Sequence, residues 1–169
     1  AHMDSVRFTA RDQDQLVPVG SPAVRKADEL AGVDRLGPIR CRVEVRDGDA
    51  YHHFARAIDR GTPLSWVPYF DHSEGEVTAT FLDNRVGVYN LLRIAEEITD
   101  GLLIFSTWEE HGGGSVPYLT KYFYEELGVD RCLISDVTWQ SDGVISGGGV
   151  VISARDAHIP RQAYVQQVQ

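Results

Sequence analysis

The stretch VTATFLDNRVGVYNLLRIAEEITDGLLIFST, residues 77–107, decides the reading of the fold. Val77 to Leu82 is a short run with β-branched and apolar residues, as in a strand. From Val86 to Ile98 the apolar positions move to helical spacing, which puts Val88, Leu91, Leu92, Ala95 and Ile98 on one stripe. Gly101 ends that helix, and Leu102 to Thr107 is a near-continuous apolar run, the pattern of a strand covered on both faces. Downstream, Ser115 and Pro117 announce a second helix through about Leu127, closed by Gly128. Arg131 to Val137 and Gly149 to Ala154 read as further buried strands. Strands alternating with helices are the grammar of a sheet with crossover connections. The expected fold class is therefore α/β, a three-layer sheet with crossover helices.

Upstream of about Gly75 the pattern differs. Val6 to Ala10, Leu16 to Val19 and Ile39 to Val45 are short strand candidates separated by Gly, Pro and Asp. In the last of them Ile39, Cys41, Val43 and Val45 alternate with Arg40, Arg42 and Glu44, as a half-buried antiparallel strand requires. These hairpin-like signals predict a compact β-rich domain over residues 6–75, inserted between residues 1–5 and 76–169 of one α/β domain.

A chain of 169 residues with 43% hydrophobic and 24% charged composition can bury one core and a small second module. The formal net charge of −9 and the lack of any basic cluster argue against a nucleic-acid partner. No apolar run approaches the roughly 20 residues that a spanning helix needs, so no membrane partner is expected. Cys41 and Cys132 lie far apart with no CxxC spacing and read as small core residues, which suits a reducing cytoplasm. His52 and His53 read as solvent-exposed or as lid contacts. Tyr118, Tyr122 and Phe123 read as core, and Arg25, Lys26 and Asp28 as a solvated face.

Polar residues beyond the carboxyl ends of strands in α/β sheets are where ligands bind. Three such positions here are acidic: Asp83, the pair Glu109 and Glu110, and Asp136. Neighbouring carboxylates repel unless a cation compensates, and carboxylates with imidazole are natural ligands for divalent ions. Taken singly, each acid also suits a helix N-terminus. No serine lies in a G-x-S-x-G elbow, so a nucleophilic triad has less support.

Phe81-Leu82-Asp83-Asn84-Arg85-Val86-Gly87 resembles the LDDRVG segment of the tetrahedral and glutamyl aminopeptidases, a family of co-catalytic dizinc metallopeptidases. Ile104 to Glu110 resembles their strand ending in a glutamate pair, Ser135-Asp136-Val137-Thr138 their aspartate-valine-threonine strand end, and Ala1-His2-Met3-Asp4 their opening H-x-D element. Gly148 to Asp156 is similar to a later strand. The resemblance implies an aminopeptidase that removes N-terminal residues of peptides with a water activated by two divalent metal ions. Zinc is the expected metal, with cobalt or manganese as alternatives. Residue by residue, it makes Asp83 the bridging carboxylate, joined to Asn84 by a cis peptide. His2 and Asp136 complete one metal, Glu110 binds the other, Glu109 is the general base, and Asp4 orients His2.

It further implies peptide substrates, a homo-oligomer, a cytoplasmic location and a small β-barrel insert. The family usually has a second acid where Asn84 stands and a valine-glycine segment where His111-Gly112-Gly113-Gly114 stands. His111 reads as structural ahead of substrate contact. The strands that should precede His2 have no counterpart, and nothing after Asp136 matches the family's downstream histidine ligand, for which His158 lies too early. The catalytic domain is thus expected to be incomplete at both ends. If Ala1-His2-Met3 is a cloning scar, His2 is no ligand. Two other classes stay open: an inactive relative serving as a binding or assembly module, and a related carboxypeptidase or deacylase.

Overall fold

The computed structural model describes residues 1–25, 27–155 and 160–168. Within the first compact unit, residues 1–137, the dominant element is a closed antiparallel barrel of six strands. They are β1 (Arg7–Ala10), β2 (Gln15–Val19), β3 (Glu29–Asp34), β4 (Gly37–Arg46), β5 (Asp49–His53) and β6 (Pro63–Trp66), in the order β1-β2-β5-β4-β3-β6. β6 pairs back onto β1 through Phe8 opposite Leu64, so every strand has two neighbours and no edge is left open.

Alternation explains the interior. Ile39, Cys41 and Val43 of β4 point inward and join Phe8, Ala10, Leu16, Leu30, Ile58 and Leu64 in the core, while Arg40 and Arg42 face out. The β4–β5 register, with Arg46 opposite Asp49, leaves a two-residue turn. Both turn residues have positive φ, Asp47 at 52° and Gly48 at 90°, the Asp-Gly chemistry that matches the twist of paired strands. His52 sits opposite the core residue Val43 and is buried at 5% exposure, which corrects the expectation that it lies in solvent. Its neighbour His53 is exposed.

The long β5–β6 connection is tied down by charge. Arg56 grips the Asp34 carboxylate with both terminal nitrogens, at 2.6 and 2.8 Å, and the backbone N–H groups of Leu36 and Asp59 donate to the same carboxylate. The Arg56 hydrogen bond, the leading cause, together with those N–H groups holds the Asp34 carboxyl well below the usual carboxylate range against the desolvation of its site.

After the barrel come a two-stranded hairpin, β7 (Phe70–Ser73) with β8 (Glu76–Ala79), and the helices α1 (Leu82–Ile94) and α2 (Val116–Leu127). The second unit, residues 138–169, carries the short helix α3 (Gln162–Val168). Among the described residues no helix is long and apolar enough to cross a membrane.

The expected three-layer α/β sheet is not what forms. The described residues form mainly the antiparallel barrel, with a small hairpin and three helices. Leu102 to Thr107 makes only an isolated parallel bridge, Ser106 to His2, and Arg131 to Val137 and Gly149 to Ala154 form no strand. The reason is that an apolar run reports fitness for burial, whereas a strand also needs a neighbour for its N–H and C=O groups. Only residues 1–3 run beside 104–106, and Leu133 and Ile134 stay 71% and 76% exposed. The helix α1 ends at Ile94 rather than Ile98, and of the expected stripe Leu91 is buried while Leu92 and Ile98 are exposed. Tyr118, Tyr122 and Cys132 are exposed rather than core residues. His158, Lys26 and the end of the 148–156 segment lie outside the described residues.

Candidate metal centre

The site forms where the chain's first residues lie beside the segment 104–106. Met3 N donates to Ser106 O at 2.9 Å and Ser106 N to Ala1 O at 3.0 Å, which fixes the backbone on either side of His2. His2 is 4% exposed. Its Nδ1 lies 3.0 Å from the Asp4 carbonyl oxygen, which can only accept, so Nδ1 carries a proton. Nε2 then faces carboxylates alone: Asp83 Oδ1 at 3.2 Å, Glu109 Oε2 at 3.7 Å and Asp136 Oδ1 at 3.9 Å. A lone pair at Nε2 would be repelled by these carboxylates, and either a proton or a bound cation there removes the conflict.

Asp4 does more than face the imidazole. Its carboxylate, 3.6 Å from His2 Nδ1, accepts the backbone N–H groups of Glu109 at 3.2 Å and of Glu110 at 3.3 Å. One residue therefore holds both the histidine, through its backbone carbonyl, and the turn that carries the two glutamates, through its carboxylate. Glu110 is partly buried, and its carboxyl is pushed upward first by desolvation and next by the Asp83 charge.

Asp83 and Asp136 are brought together by Asn84. The Asp83–Asn84 peptide is cis, and Asn84, 1% exposed, donates from Nδ2 to Ser135 O at 2.9 Å while its Oδ1 accepts Gly87 N at 2.8 Å. Asn90 adds a bond to Ser135 Oγ at 3.1 Å. Ser5 Oγ donates to Asp83 O at 3.2 Å. A carboxylate at position 84 would lack the donor for Ser135, so the departure from a second acid there has a structural reason.

His2, Asp83 and Asp136 each offer a ligand atom within 4.8 Å of the others, and so do His2, Glu109 and Glu110. His2 is common to both groups, which between them contain His2, Asp83, Glu110 and Asp136, with Asp83 and Glu110 in different groups. The second group contains Glu109, which sequence reasoning casts as the base rather than a ligand. Among the described residues no Lys or Arg side chain forms an ion pair with Asp83, Glu109, Glu110 or Asp136. Imidazole plus carboxylates at these separations fits divalent cations such as zinc. His111 stays outside the cluster against Trp108, ring centroids 6.5 Å apart.

Sequence reasoning missed the Asn84–Ser135 clamp and the close approach of Gly20 to Glu110. The Asn84 to Gly87 spacing is the signal that points to the first, since an amide oxygen at such a helix start caps the N–H three residues on. Nothing in the sequence marks the second. A family model described as M42 glutamyl aminopeptidase matches residues 39–168, a span that includes Asp83, Glu109, Glu110 and Asp136 but not His2 or Asp4. No individual curated protein matches the chain.

Proposed function

Because the chain belongs to the M42 glutamyl aminopeptidase family, whose members are metallo-aminopeptidases, we propose that it hydrolyses the N-terminal residue from peptides with two divalent ions. The observation that carries this reading is the His2 Nε2 facing Asp83, Glu109 and Asp136 with no Lys or Arg to balance them. His2, Asp83 and Asp136 would hold one ion, Glu110 the other, with Asp83 shared between them and zinc the expected metal. Bound there, the ions supply Lewis acidity toward water and toward the scissile carbonyl.

The rest falls to side chains of this chain. Glu109, 40% exposed, can reach both water and substrate. As general base it takes a proton as the water oxygen bonds to the carbonyl carbon, and returns it to the nitrogen as the C–N bond breaks. Asp4 keeps His2 turned and the Glu109–Glu110 backbone fixed, so donors and base stay in one register. Residues 1–4 and 83–136 meet although the barrel separates them in sequence, which supports reading residues 6–75 as an insert within a domain of residues 1–5 and 76–169. The same reading expects peptide substrates and a homo-oligomer.

The test is metal content after zinc loading together with release of 4-nitroaniline from aminoacyl anilides. Chelator-sensitive cleavage that fails on N-acetylated anilides is expected. Stoichiometric metal with no turnover on any anilide would instead favour the inactive binding module.

A further inference from the structure

The barrel approaches Glu110 of the candidate metal centre at Gly20. β1 and β2 pair with Arg7 opposite Val19, so the chain leaves β2 at Gly20 beside Val6, two residues after Asp4. Gly20 has φ +75°, and a Cβ added there would lie 2.8 Å from Val6 Cγ1, 3.1 Å from Glu110 Oε2 and 3.2 Å from the Glu110 carbonyl oxygen. The valine methyl can rotate aside, but the Glu110 backbone cannot retreat freely, because its N–H is held by Asp4 Oδ2 at 3.3 Å. The two strands at the root of this hairpin thus hold Glu110 from two directions. Asp4 fixes its backbone, and the bare Cα of Gly20 sets the wall against which its carboxylate and carbonyl rest.

We infer that Gly20 is a positioning residue for Glu110, through which the barrel sets where that carboxylate is delivered to the metal centre. The inference rests on the reading of Glu110 as a metal ligand. It separates two consequences of adding a side chain at a left-handed glycine. One is backbone strain, common to any such position. The other is displacement of the glutamate, which only Gly20 can cause. Gly61, with φ +86° and nothing within 4 Å of an added Cβ, isolates the first.

The experiment measures zinc affinity of the full chain by competition with a chromophoric chelator, with circular dichroism to establish folding. Gly20→Ala, Gly61→Ala and Glu110→Gln are compared with the parent, and Gly20→Asn serves should the alanine variant fail to fold, since Asn enters the left-handed region more readily. Gly20→Ala is expected to weaken zinc binding on the order of 10–100-fold, the usual effect of disturbing a ligand's support. Gly61→Ala should leave zinc affinity at the parent value while losing comparable thermal stability. Parent-like zinc affinity in a folded Gly20 variant, alongside a weakened Glu110→Gln, overturns the inference and leaves the ligand reading standing. An equal loss in Gly61→Ala overturns it as well, because strain alone then accounts for the effect. Undiminished binding in Glu110→Gln removes the ligand reading and the inference with it.

Discussion

Glu109 and Glu110 are adjacent, yet the chain gives them different surroundings. Both backbone N–H groups are held by Asp4, but Glu110 is the one packed against Gly20 and pushed toward protonation by desolvation and Asp83. Glu109→Gln keeps size and reach while removing the proton acceptor. It should leave zinc content unchanged and lower turnover by about two to four orders of magnitude, the range of a positioned base. Glu110→Gln should weaken zinc binding instead; the reverse pattern means the two roles are exchanged. Asn84 makes a second test at this scale. Its amide pairs with the buried Gly87 N and the partly buried Ser135 O, so Asn84→Ala leaves both groups without that partner. A loss of about 1–3 kcal/mol in chemical denaturation is expected, with weaker zinc binding as Asp136 loosens. Unchanged stability would mean that the clamp does not hold Asp136. The acids were legible in the sequence because a carboxylate closing an apolar run is out of place unless something compensates it. Asn84 was not, because an amide after a strand suits any turn.

Among the elements, β5 carries the least expected residue. His52 occupies an inward position opposite Val43, with both ring nitrogens shut off from water. Desolvation is the leading cause that lowers its pKa, reinforced by His53 and opposed by the Asp14 charge and the Gln13 backbone. A histidine whose folded pKa lies below its unfolded value of about 6.5 contributes stability that is present above that pH and lost as pH falls toward the folded value. Unfolding free energy should therefore decline on acidification below about pH 6.5, by at most about 1.4 kcal/mol per pH unit from this residue. His52→Leu should flatten that part of the curve in urea titrations, and an unchanged slope would assign the acid sensitivity elsewhere. Strand β4 was legible from its alternation, which is a property of the strand alone. The runs at 102–107 and 131–137 misled because a parallel ladder is a property of pairs of strands, and a single run says nothing of its neighbours.

For the molecule as a whole, the barrel and the candidate metal centre draw on the chain in different ways. The barrel draws on one continuous stretch, closes on itself, and owns a core from Phe8 to Leu64 that takes no residue from α1 or α2. Its charge clamp, Asp34 with Arg56, lies within the same stretch. The candidate metal centre would gather residues from positions 2 to 136, and so needs the chain on both sides of the barrel. Closed barrels of about 60 residues sit near the lower limit for independent folding, but this one leaves no unpaired edge and buries Phe8, Leu16, Leu30, Ile39, Val43 and Leu64 in one core. Residues 5–68 expressed alone should therefore give a monomer with a dispersed amide spectrum and one cooperative thermal transition. Because Asp83, Glu109, Glu110 and Asp136 are absent from that piece, adding zinc should not raise its melting temperature, whereas it should raise that of the full chain. A collapsed spectrum without a cooperative transition would show that the barrel depends on the chain around it. Its contact with Glu110 at Gly20 would then be part of what holds the barrel together, and not only part of what positions the site.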